Sequence, residues 1–129
     1  MGPKILFEAE FYRFMMEDGV FHLTYIDGPI TLAIAKKIVL KRLELTNNES
    51  VPLLIDGVSL KSIDKEARNF LSSADGIKGV TAAALLSNSP FTKYMANFFL
   101  KISANNSKIP ARVFNNQKEA VEWLQTFKK

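Results

Sequence analysis

Val51 to Asp56 reads Val-Pro-Leu-Leu-Ile-Asp, and none of its interior positions is polar. A strand that is apolar on both sides must be covered on both faces. This one run therefore commits the chain to a layered α/β architecture. The segment after it changes period. Ile63, Ala67, Phe70, Leu71 and Ala74 fall on one helical stripe, and Asp75-Gly76 supplies a natural stop. Between strand and helix lies a short hydroxyl-bearing turn, Gly57-Val58-Ser59-Leu60-Lys61-Ser62. Open α/β sheets place their working parts at such a strand's carboxyl end.

The same alternation runs through the rest of the chain. Glu8 to Met16 and Val20 to Ile26 are rich in aromatic and β-branched residues, and Glu17-Asp18-Gly19 separates them. Asp-Gly between two such runs predicts a hairpin. Thr31 is placed to N-cap a helix reaching Leu45, with Ile34, Ala35, Ile38, Val39 and Leu43 inward and Lys36, Lys37 and Lys41 outward. Val80 to Leu86 predicts a second buried strand, whose three alanines suit a close helix approach. Ser89-Pro90 opens a further helix, and Pro110 to Phe114 is a short last strand. Asn116-Gln117-Lys118-Glu119 opens a final helix carrying Ala120, Trp123, Leu124 and Phe127. The expectation is one α/β domain over residues 1–129: a mixed, mostly parallel five-stranded sheet with four helices in ββαβαβαβα order.

Composition narrows the function. The chain has 129 residues and no cysteine, which removes disulfides, thiolate catalysis and cysteine-ligated zinc. Met1 to Glu10 holds no long apolar run, so no secretory signal is expected, and no stretch is long enough to span a bilayer. A cytoplasmic location follows as the expectation. The net charge is +4. Lys36, Lys37, Lys41 and Arg42 cluster on one helix, read as a solvated face. The bases of the chain as a whole are spread and interleaved with acids rather than set in a stripe. No nucleic-acid partner is expected. His22 is the only histidine, so histidine metal sites and His-based relays lack material. It is expected on the less buried face of its strand. No metal or cofactor is implied.

The order of elements, with Leu53-Leu54-Ile55-Asp56-Gly57-Val58-Ser59 ahead of a helix, resembles the STAS domains and anti-sigma-factor antagonists of bacteria. It is also similar to the related lipid-binding Sec14-like fold. Thr46-Asn47-Asn48, the Pro52 to Asp56 strand, Lys61 to Arg68 and Ala82 to Ser87 resemble a group of small, mostly uncharacterised bacterial STAS/Sec14-like proteins. The resemblance implies a non-enzymatic regulatory module that binds another protein. In the antagonists a serine in an Asp-Ser-Ser-Gly-like run at the helix start is phosphorylated. Here Ser62 is the nearest match and Ser59 lies upstream, without the doubled hydroxyl or the glycine.

The candidate partner surface is therefore Asp56, Ser59, Lys61, Ser62 and Lys65. Each has a plain structural role as well. Ser62 would N-cap the helix, Asp56 would accept loop N–H groups, and Asp64 would complement the helix dipole. Asp56 and Asp64 lack a nucleophile–base pair, so no enzyme is expected. A second surface is Phe91, Tyr94, Met95, Phe98 and Phe99 on the third helix, apolar over more than half its circumference. Core packing, a homodimer interface and a pocket for an apolar small molecule all fit that stripe. The alternative function is accordingly a small lipid-like carrier.

Overall fold

A computed structural model describes residues 4–86 and 109–127. Strands β1 (Lys4–Glu8), β2 (Tyr12–Glu17) and β3 (Val20–Tyr25) come first, then helix α1 (Leu32–Leu45). Strand β4 (Val51–Asp56), helix α2 (Lys65–Leu71) and strand β5 (Val80–Leu86) follow. Strand β6 (Ala111–Phe114) and helix α3 (Gln117–Gln125) complete the described elements. The six strands form one sheet in chain order, β1 to β6. The β1–β2 and β2–β3 pairs are antiparallel, and the pairs from β3 to β6 are parallel.

The α/β class and the mostly parallel sheet agree with the expectation, but the element count does not. The described residues form six strands, not five, because Lys4–Glu8 is a strand of its own. The Ala9-Glu10-Phe11 link closes tightly, with the Ala9 N–H donating to the Tyr12 carbonyl at 2.9 Å. It does so without glycine, proline, asparagine or aspartate, so nothing in the residues announces the turn. The described helices number three rather than four. The helix expected from Ser89, with its Phe91, Tyr94, Met95, Phe98 and Phe99 stripe, lies outside the described residues.

Elsewhere the local chemistry produces the predicted elements. Asp18 and Gly19 both take positive φ, 55° and 76°, which matches the twist of the two strands they join. The Thr31 side chain accepts the Ile34 N–H at 3.3 Å and starts α1. Asn116 accepts the Glu119 N–H at 3.1 Å and starts α3.

Strand alternation then sorts the core. Phe21, Leu23, Tyr25, Leu53, Ile55, Ala83 and Leu85 face α1 and α2, meeting Ala35, Ile38, Val39, Ala67 and Leu71. Val20, Leu54, Ala82, Ala84 and Leu86 face the other way, onto Ala120 and Leu124 of α3. Strand β4 is thus covered on both faces. The alanines of β5 divide between the layers, and their missing side-chain bulk lets a helix approach on either side.

Candidate functional site

The parallel strands deliver Tyr25, Asp56, Leu86 and Phe114 to one edge of the sheet. Two loops leave that edge side by side: residues 26–31 after β3 and residues 57–64 after β4. Their backbones are joined. The Ile30 N–H donates to the Ser62 carbonyl at 3.0 Å, and the Asp64 N–H donates to the Ile30 carbonyl at 3.0 Å. The side chains of Ile30 and Ile63 are buried at this bridge. Gly28 permits the approach, because a Cβ there would stand 2.8 Å from the Ser62 carbonyl oxygen. Each loop is also braced internally. An Asp27 carboxylate oxygen accepts the Gly28 N–H at 2.8 Å, and an Asp56 oxygen accepts the Val58 N–H at 3.1 Å. The Gly57 N–H reaches across to the Leu86 carbonyl at 3.1 Å, and Leu60 is buried beneath.

On this fixed backbone Ser59, Lys61, Ser62 and Lys65 are exposed, and Asp56 is half-buried. The structure therefore brings the five predicted surface residues to one edge. Asp56 has the loop-bracing role expected of it. Ser62 does not N-cap α2. Asp64 occupies the N-cap position with φ −66° and ψ 151°, and its side chain makes no capping bond. The physical reason is the bridge to Ile30, which holds residues 62–64 extended and delays the helix to Lys65. Ile63 consequently packs at the bridge rather than on the α2 stripe. At the other end α2 stops at Leu71, with Ser72 as C-cap, so Ala74 and the expected Asp75-Gly76 stop lie beyond it.

Ile26 and Val58 are exposed large apolar residues, one on each loop, and Pro29 is exposed on the same loop as Ile26. They place apolar surface among the serines and lysines. Lys36 and Lys37 are exposed, but Lys41 is committed elsewhere. Its Nζ lies 3.1 Å from Glu44 and 4.6 Å from the Phe7 ring centroid, well along α1 from these loops.

Two residues expected near solvent are buried. His22 is 3% exposed, because it shares the face of Val20 that α3 covers. Burial holds its imidazole pKa below the ordinary value, against the opposing pull of Glu17, Asp56 and Asp18. Arg42 is 2% exposed and donates to the Lys78 carbonyl at 2.6 Å and the Gly76 carbonyl at 3.0 Å. Burial pulls its guanidinium down to about 10, which leaves it charged at neutral pH. The signal was present in the chain. Ala35, Ile38, Val39 and Arg42 are spaced as the inner face of α1.

Arg42 also walls a cavity of about 40 Å³ between the sheet and the α1–α2 layer, with Leu23, Tyr25, Ile55, Leu71 and Ile77. Drug-sized ligands occupy several hundred Å³, so this space as it stands holds no lipid-like molecule. Among the described residues, no group of three or more His, Asp or Glu side chains is arranged to hold a metal ion. Nor is any described helix long and apolar enough to cross a membrane.

Comparison with known proteins places this geometry. The model of a family described as a domain of unknown function, DUF7793, matches residues 14–128. The chain belongs to that family. Its fold is similar to that of an uncharacterised DUF3478-family protein from Shewanella loihica PV-4, described as having a SpoIIAA-like fold. The match covers 95% of this chain and 94% of that one, at 15% identity and a TM-score of 0.61. At that identity the likeness establishes the fold, and it agrees with the STAS-like resemblance read from the sequence. No curated protein matches the chain.

Proposed function

We propose that this DUF7793 domain is a non-enzymatic, cytoplasmic regulatory module that binds another protein through the paired loops at the carboxyl ends of β3 and β4. The observation that carries the reading is the bridge between those loops. It fixes two backbones against each other while leaving Ile26, Pro29, Val58, Ser59, Lys61 and Ser62 exposed. A preformed surface limits the ordering cost of association. Exposed apolar side chains supply contact area, and the neighbouring lysines and hydroxyls supply specificity. The carboxylates of Asp27 and Asp56 brace their own loops, which suits a scaffold better than proton transfer.

Phosphorylation at Ser59 or Ser62 gates this surface in our reading. A phosphoserine adds about −1.5 to −2 charges at pH 7. Lys61 and Lys65 would receive that charge locally, while an apolar or acidic partner face would be repelled. The SpoIIAA-like fold supports a regulatory role by analogy.

Native mass spectrometry of the protein purified gently from its own host tests both parts. The expected spectrum contains a complex with a second protein, and a phosphate mapped to Ser59 or Ser62 in the uncomplexed fraction. Ser62→Asp or Ser59→Asp then weakens that complex, while the alanine variants retain it. A complex indifferent to all four substitutions and to Val58→Asp would refute this surface.

A further inference from the structure

His22 stands in the middle of β3, opposite Met15 of β2 and Leu54 of β4. Strand alternation puts it on the face of Val20, and Val20 and Leu54 belong to the apolar layer beneath Ala120 and Leu124 of α3. Its Nε2 is buried and has no hydrogen-bond partner among the described residues. A neutral imidazole tolerates that position at some cost. An imidazolium there would be a buried charge whose Nε2–H finds no acceptor among the described residues.

We propose that protonation of His22 releases α3 from the sheet, which makes this helix an acid-sensitive latch. The charged groups around the site define what release offers. Glu17 of β2, Asp18 of the hairpin turn and Asp56 at the end of β4 all act on the imidazole and favour its charged form. On α3 the exposed Lys118 and Glu122 line the same open cleft as Glu17 and Asp18. Arg13 of β2 is paired with Glu8 at 3.2 Å. With α3 in place burial outweighs the three carboxylates, and with α3 displaced water and those carboxylates reach the ring.

The attachment of α3 is light enough to yield. Its buried contacts are the short side chain of Ala120 and the single Leu124, with Val121, Trp123 and Phe127 partly buried around them. An exposed bond to the hairpin runs from the Gln125 amide to the Asp18 carbonyl at 3.2 Å. Release would uncover Val20, Leu54, Ala82, Ala84 and Leu86, an apolar strip unrelated to the loop surface proposed above.

Trp123 is the only tryptophan and lies on α3, its ring 5.7 Å from Phe114 and 5.0 Å from Phe127. The experiment follows its emission, together with amide hydrogen exchange corrected for intrinsic rate, on the full chain between pH 7.5 and 5. The opening constant of α3 is expected to rise up to about tenfold per pH unit below about 6.5. Amides of β3 to β5 should keep their protection. His22→Gln and His22→Phe should both flatten the response. The proposal is overturned if either folded variant keeps the wild-type acid response, or if α3 and β4 lose protection together. It is equally overturned if the His22 ring in the wild type titrates at its ordinary value with α3 still protected.

Discussion

Replacing Arg42 with methionine removes the one charged side chain from the inner face of α1 and should destabilise the domain. Its guanidinium donates to the carbonyls of Lys78 and Gly76, which close the connection between α2 and β5. Hydrogen bonds from a charged donor contribute about 1.5–3 kcal/mol each, and a buried acceptor left unpaired costs about 1–3 kcal/mol. Against that, the variant no longer buries a charge, and a well-packed apolar replacement recovers part of the loss. Methionine follows the arginine stem and fills part of its volume. The balance is about 2–4 kcal/mol, near 10 °C in melting temperature for a domain of this size. Arg42→Lys keeps the charge but reaches fewer acceptors, so it should lose about half as much. Urea unfolding followed by Trp123 fluorescence measures both variants, and amide exchange at residues 76–80 reports the local loosening. Stability of Arg42→Met within about 0.5 kcal/mol of wild type would refute the reasoning, because surface changes have effects of that size.

Three further outcomes follow from the same contacts. Gly28→Ala forces a Cβ against the Ser62 backbone, at 2.8 Å from its oxygen, and should cost about 1–3 kcal/mol while shifting the amide resonances of Ile30 and Asp64. Thr31→Ala removes a working N-cap and should cost about 1 kcal/mol, whereas Ser62→Ala should change chemical stability by less than about 0.5 kcal/mol because Ser62 caps nothing. Burial holds the Tyr25 phenol pKa well above its ordinary value, so the unfolded chain ionises first. That contribution to stability is complete below about pH 10 and is lost as the pH climbs past it, which alkaline denaturation of Tyr25→Phe against wild type will show as a shallower loss in the variant.

The parts of the fold that were legible in the residues are those with a strong period or an unambiguous terminus. Val51–Asp56 declared a strand covered on both faces, Asp18-Gly19 declared a hairpin, and Thr31 and Asn116 declared helix starts. What was not legible arises from contacts distant in sequence. Strand β1 is joined to β2 by a turn with no turn residues. The start of α2 is set by Ile30, more than thirty positions upstream, which holds residues 62–64 extended. Arg42 was grouped with the solvated lysines because its charge outweighed its position, although its spacing from Ile38 and Val39 marks the buried face. His22 was assigned to the more open side because alternation cannot say which face a later helix will cover. The candidate surface was legible as a place, at a strand's carboxyl end. Its construction from two bridged loops, and the contribution of Ile26 and Pro29, needed the tertiary structure.

The central claim is that the paired loops are where this domain meets a protein. Site-specific photocrosslinking in the native host tests it most directly, with a photoreactive residue at Val58 in one variant and at Leu40 in another. Leu40 is the better-exposed of the two, at 67% against 42%, and sits on the outer side of α1 away from the loops. The account predicts one discrete covalent adduct from Val58, abolished by Ser62→Asp, and only diffuse background from Leu40. Equal crosslinking from both positions, or a discrete adduct from Leu40 alone, would contradict it.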